Sequence, residues 1–300
     1  MEKSFKNHFL MMLIFGVLST MTISSNESAV SNTNSIPEVQ YANITNAKIA
    51  YKIFGSGEPL IMCIGYSNNM DFWSTKAIDI LSKKFKVIVF DYRGMGLSTN
   101  SENSFTIQTL ANDLNELLLE LKISKTHVIG WSMGGFVAQM FALNFSEKVN
   151  KLVLIATHCG DIHTISPSDD VLKILTNPKA SPMEMLSILF SDDWLAENKE
   201  PWKVLPKLTE PINGKTIGLQ YQATEKWLSP NGGSYGHLNK LKMPVLILFG
   251  KEDKVVPFKN SEIFADSIKS SVLIGIPNAG HGMMFQIPEV FSESIINFLK

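Results

Sequence analysis

The sequence predicts an α/β protein: an open, mostly parallel, doubly wound sheet with helices on both faces, interrupted once by a helical insertion. Three observations carry this. Short apolar, β-branched runs alternate with amphipathic helical stretches from about residue 38 to residue 156. The alternation stops between about 160 and 241, where prolines recur at Pro167, Pro178, Pro182, Pro201, Pro206, Pro211 and Pro230. Two further buried-strand runs and a closing helix then complete the pattern. With 300 residues, 45% of them hydrophobic, the chain can bury one sizeable core with an insertion. The net charge of −1, with no basic run interleaved with aromatics, lacks the footprint that phosphate backbones require, so nucleic acid is excluded as a partner.

Residues 1–25 differ from the rest. Lys3 and Lys6 precede the apolar run Phe9 to Leu18, the layout of a signal peptide, and that run is too short for a comfortable bilayer span. No clean small-x-small cleavage site follows, which leaves a signal anchor as the alternative. The expectation is therefore a secreted or periplasmic protein, attached to a membrane only if this segment is retained, with a cytoplasmic protein as the remaining option. The Ser/Asn-rich stretch 26–37 reads as a polar linker into a single domain at 38–300.

Gln40 to Ile44 and Lys48 to Phe54 resemble an antiparallel hairpin. Pro59 to Ile64 and Lys86 to Phe90 read as strands buried on both faces, with a helix through Trp73 to Leu81 between them that Asp71 could cap. The glycine-bearing loop Asp91 to Ser98 matches neither dinucleotide-binding nor P-loop spacing, and an Asp91–Arg93 hydrogen bond would pin it. A helix from about Ile107 to Leu121 puts Leu110, Leu114, Leu117 and Leu121 on one face, with Asn112, Asp113, Asn115 and Glu116 mostly off it. Val149 to Ala156, Pro244 to Phe249 and Ser271 to Ile276 continue the buried strands, and Pro288 to Leu299 forms the last helix. Within the insertion, Met183 to Phe190 and Ile217 to Trp227 are amphipathic. Cys63 and Cys159 are too few for a disulfide framework and read as buried thiols.

The chemistry centres on Gly130-Trp131-Ser132-Met133-Gly134-Gly135. Thr126 to Ile129 leads in as a strand and Phe136 to Met140 leads out as a helix. In that context G-x-S-x-G is a nucleophile elbow, a turn too tight for side chains at its glycines, which lifts the serine hydroxyl clear of the sheet. A serine hydroxyl needs a base, and the base needs an orienting group. Of the six histidines, His8 lies in the leader, His127 inside the elbow strand, and His158, His163 and His237 at the ends of the insertion. His281, in Asn278-Ala279-Gly280-His281-Gly282, follows the final strand and is the expected base. Asp253, in the loop after the penultimate strand, is the expected acid, with Glu252 and Asp161 as rivals. Ser132, Asp253 and His281 would all fall at the carboxyl edge of the sheet, in the chain order associated with this elbow. Backbone N–H groups of Met133 and of Tyr66, in the loop Gly65-Tyr66-Ser67, would form the oxyanion hole. Trp131 would pack beneath the elbow.

Taken together, GWSMGG at 130–135, DYRGMGLS at 91–98, LFGKEDKVVP at 248–257 and AGHG at 279–282 make the chain resemble the α/β-hydrolase superfamily, in particular its capped esterase, lactonase and haloperoxidase-like members. The resemblance runs from about Glu38 to the C-terminus and implies the α/β-hydrolase fold with a helical cap at about 160–241. It also implies Ser132 as nucleophile, Asp253 as acid and His281 as base. One departure is Ile64-Gly65, where family members commonly carry His-Gly. The expected activity is hydrolysis of a small carboxylic ester or lactone through an acyl-enzyme, with no metal and no organic cofactor. A non-hydrolytic ligand-binding member of the fold, or a perhydrolase or carbon–carbon bond hydrolase with the same triad, are the alternatives. Met183, Met185, Trp194, Trp202 and Trp227 in the insertion suggest a hydrophobic substrate group, although helix core accounts for most of them.

Overall fold

The computed structural model describes residues 37–177, 179–210 and 212–300; the expected leader and all but the last residue of the linker lie outside them. Within this range the hairpin strands are β1 (Gln40–Ile44) and β2 (Ala47–Phe54), paired antiparallel with Ala42 opposite Ile49. β3 (Glu58–Cys63) follows, and then a helix α1 (Thr75–Ser82) that is capped by Ser74, whose hydroxyl accepts the Ala77 N–H. Asp71 is therefore not the cap. It sits in the preceding 3₁₀ turn, where its carboxylate pairs with Lys52 at 2.6 Å. β4 (Phe85–Phe90) leads to α2 (Ile107–Glu120), β5 (Thr126–Trp131) to α3 (Met133–Asn144), and β6 (Val149–Ile155) to the insertion.

The insertion carries α4 (Asp169–Leu175), α5 (Pro182–Leu189), α6 (Asp192–Glu197) and α7 (Gly214–Leu228). Its sequence marks where the helices begin. Pro182 starts α5 behind a Ser181–Glu184 capping box, and Asn213 caps α7 by accepting the N–H groups of Lys215 and Thr216. The sheet resumes with β7 (Val245–Gly250), α8 (Lys259–Ser267), β8 (Ser271–Ile276), a one-turn α9 (Met283–Gln286) and α10 (Pro288–Leu299). α8 was not anticipated, because its apolar residues are few and Asn260 and Ser261 occupy its buried face.

The strands form one eight-stranded sheet in the order β1-β2-β4-β3-β5-β6-β7-β8. β1, β2 and β4 pair antiparallel, and β4 to β8 run parallel. This is the α/β-hydrolase fold. β3, β5, β6 and β7 are buried on both faces, which explains their unbroken apolar runs. β8 departs from the expected buried strand. It is the sheet's edge, and Val272 and Leu273 remain 48% and 40% exposed.

Two local expectations are corrected. Arg93 does not pair with Asp91: its guanidinium donates to both carboxylate oxygens of Asp113, at 2.6 and 2.5 Å, and to Glu102. Asp113 is accordingly buried on α2 rather than off its inner face, since an Arg buried with it supplies the charge that the core lacks. Asp91 instead accepts the backbone N–H groups of Met70 and Leu97 and so ties the loops after β3 and β4 together. Burial pushes its carboxyl up to about 6, and the Asp71 charge adds to that push. Cys63 and Cys159 are both free and buried, as expected.

Candidate active site

Ser132 stands between the last residue of β5 and the first of α3 with φ 55° and ψ −124°. That conformation is rare for a residue with a Cβ and costs of the order of 1–3 kcal/mol, held by the packing around it. The surroundings show what holds it. The Ser132 N–H donates to Ile155 O at 3.0 Å, and its carbonyl accepts from Gly135 N and Thr157 Oγ1, each at 2.8 Å. The flanking glycines are needed because neighbours run so close: a Cβ on Gly134 would lie 2.0 Å from Cys63 O of β3, and one on Gly130 would lie 2.4 Å from Gly134 O of α3.

Met133 opens α3, so its N–H has no acceptor within the helix and belongs to the positive end of the helix dipole. Tyr66 follows β3 and is 5% exposed; its hydroxyl donates to Ile217 O on α7. Tyr66, Ser132 and Met133 line one cavity, together with Phe136, His158, Thr224 and Val256. Its volume is about 10 Å³, room for about one water molecule. A larger hollow of about 930 Å³ lies elsewhere, bordered by β2, α1 and the residues around Thr209, and includes none of Tyr66, Ser132, Met133, Asp253 and His281.

Asp253 and His281 meet at the same edge. Asp253 Oδ1 accepts the N–H groups of Val255 and Val256, each at 2.8 Å, which fixes the carboxylate within its own turn. Its Oδ2 lies 2.9 Å from His281 Nδ1, and both side chains are buried. A carboxylate only accepts, so Nδ1 carries the proton and Nε2 presents a lone pair. The rivals are elsewhere: Glu252 is exposed, and Asp161 pairs with His163 at 2.6 Å.

Contacts from Trp131, Gln286 and Leu189 hold the histidine loop in place. Trp131, 1% exposed under the elbow as expected, donates its indole N–H to His281 O at 3.0 Å, with the two rings 5.2 Å apart. Gln286 Oε1 accepts the Gly280 N–H at 2.7 Å, and the Gly282 N–H donates to Leu189 O on α5. Of the apolar insertion residues, Trp227 stacks on Phe136 at 5.2 Å and Trp194 packs on Phe190. Met185 is buried, whereas Met183 is 49% exposed and lines neither cavity described above. His158, set aside in the sequence as the start of the insertion, lines the cavity with Ser132. The signal for it was present, since it follows β6 at the same strand edge that singled out His281.

Among the described residues no group of three or more His, Cys, Asp or Glu side chains could hold a metal ion, and no helix is long and apolar enough to cross a membrane. Residues 58–198 match the family model of the α/β hydrolase fold. The chain is 25% identical over 271 residues to 2-hydroxy-6-oxo-6-(2'-aminophenyl)hexa-2,4-dienoic acid hydrolase of Metapseudomonas resinovorans, covering 87% of this chain and 90% of that protein. Among solved structures, a thermophilic esterase from Thermogutta terrifontis is 25% identical with a TM-score of 0.70, over 87% of this chain and 98% of the other. An α/β hydrolase fold protein from Chitinophaga pinensis gives a TM-score of 0.73 at 22% identity, over 89% of this chain and 98% of that one.

Proposed function

We propose that this chain, a member of the α/β-hydrolase superfamily, is a serine hydrolase that cleaves a small carboxylic ester or lactone through an acyl-enzyme. The observation that carries the reading is the strained Ser132 at the start of α3, sharing a strand edge with a buried Asp253–His281 pair hydrogen-bonded at 2.9 Å. In the reaction Ser132 Oγ attacks the carbonyl carbon while its proton passes to His281 Nε2. The carbonyl oxygen becomes an oxyanion that accepts the N–H groups of Met133 and Tyr66. Collapse breaks the bond to the alcohol oxygen, which leaves with the proton from Nε2. Water then attacks the acyl-enzyme by the same route, giving up its proton to Nε2, and the carboxylic acid departs with Ser132 restored. Asp253 stays ionised throughout and holds the imidazole in the Nδ1–H tautomer.

Thr224 from the insertion, acting as a cap, lines the cavity with Ser132, so the insertion shapes the space in which the acyl group is held. The esterase of T. terrifontis lends the ester reading some support at its 25% identity. Ser132→Ala is expected to remove turnover of a panel of short-chain esters and lactones while the far-ultraviolet circular dichroism is kept. Ester hydrolysis that persists in that variant overturns the assignment. Export is part of the same proposal, supported by the lysine-flanked apolar run at 9–18. N-terminal sequencing of protein from the extracellular or periplasmic fraction tests it, and a soluble cytoplasmic chain with Met1 intact would contradict it.

A further inference from the structure

The cavity over Ser132 is enclosed by apolar groups on one side and by two uncommitted polar groups on the other. Thr224, on α7, is 4% exposed and its hydroxyl has no hydrogen-bond partner. His158 is 6% exposed, and its Nδ1 accepts the Gly160 N–H at 3.2 Å, with Thr164 Oγ1 3.4 Å away. A backbone N–H only donates, so Nδ1 is the acceptor and the proton of the neutral ring sits on Nε2, on a ring that lines the cavity. Burial, with the His281 charge adding to it, lowers its pKa to about 3, so the ring stays neutral. One turn before Thr224 lies Gln220, fully buried, whose Oε1 accepts the Ser67 N–H at 2.9 Å while its NH₂ group and the Ser67 hydroxyl have no partner.

We propose that the substrate's acyl group carries a second, uncharged hydrogen-bond acceptor, an ether, hydroxyl or ketone oxygen, which Thr224 Oγ1 and His158 Nε2 bind by donation. The inference rests on the serine-hydrolase reading and adds the substrate class. A plain hydrocarbon chain would leave the buried Thr224 hydroxyl unpaired, which binding sites built for polar groups penalise. A carboxylate would be buried beside no cation, since the lining holds no Lys or Arg and His158 is neutral. The acyl side is favoured over the alcohol because the leaving alcohol must escape before water attacks, whereas the lining residues around Ser132 are almost wholly buried. The acyl group is the part that stays.

The test compares p-nitrophenyl methoxyacetate with p-nitrophenyl butyrate, which have the same number of heavy atoms, each rate being normalised to its alkaline hydrolysis. The wild-type protein is expected to prefer the methoxyacetate in kcat/KM by about tenfold or more. Thr224→Val should collapse that ratio toward one, and Thr224→Ser, which restores the hydroxyl, should recover it. No preference in the wild type, or a preference that survives Thr224→Val, overturns the inference. Calorimetric titration of both esters into Ser132→Ala separates the two readings, because the preference for the methoxyacetate should persist in binding alone. Absence of turnover in the wild type with selective binding in Ser132→Ala overturns the hydrolase reading only; equal binding of the two esters overturns this inference.

Discussion

At the scale of single residues, burial decides what each histidine near the edge can do. His281 is paired with a carboxylate through Nδ1, whereas His158 offers that same nitrogen to a backbone N–H, and burial holds its ring neutral. The second case has a consequence for stability. The folded pKa of His158, about 3, lies below its ordinary 6.5. The unfolded chain therefore binds its proton first as pH falls, so the stability that His158 contributes is complete above about 6.5 and is lost as pH drops from there toward 3. His158→Gln, which does not titrate, is expected to lose less stability than the wild type between pH 6.5 and 4, read as the melting temperature against pH. Parallel curves would show that another group carries the acid sensitivity.

At the scale of elements, the site depends on how closely β3, β5 and α3 approach. Gly134→Ala is expected to destabilise the protein by about 2 kcal/mol or more, because its Cβ would meet the backbone oxygen of Cys63 at 2.0 Å and neither element can yield alone. Chemical denaturation measures the loss; a change within about 0.5 kcal/mol would contradict the packing described. α2 offers a second case. Arg93→Ala leaves Asp113 buried without its cation and is expected to cost about 3–5 kcal/mol by the same measurement, and Arg93→Leu combined with Asp113→Leu should cost less than that. That pair was not legible in the sequence. Helical periodicity assigns polar residues to the outer face, and only the loop after β4 coming back over α2 brings a cation to Asp113. The interior strands, by contrast, were legible because burial on both faces leaves an apolar run with few alternatives. β8 reads the same way yet lies at the edge, since an apolar run does not say on which side its neighbour will pair.

At the scale of the whole molecule, the sheet order gathers residues that are up to 215 positions apart in sequence onto one edge, from Tyr66 after β3 to His281 after β8. The candidates Ser132, Asp253 and His281 could be singled out because each sits in a loop that a recognisable strand delivers. What those strands could not foretell is the wall of the cavity. Thr224 and Gln220 belong to α7, whose packing over the sheet follows from contacts such as Ser67 N–H to Gln220 and Thr216 to Gly94 O rather than from any local pattern. The insertion suggested apolar contacts from its Trp and Met residues, while the structure turns Met183 outward and brings a hydroxyl and an imidazole to the cavity. If Ser132 is an activated nucleophile, the intact protein reacts with a fluorophosphonate at that residue, which peptide mass spectrometry reads directly. One phosphonyl group per chain is expected, on Ser132, with the rate of labelling falling at least about a hundredfold in His281→Ala; no adduct, or an adduct on another residue, would refute an activated Ser132.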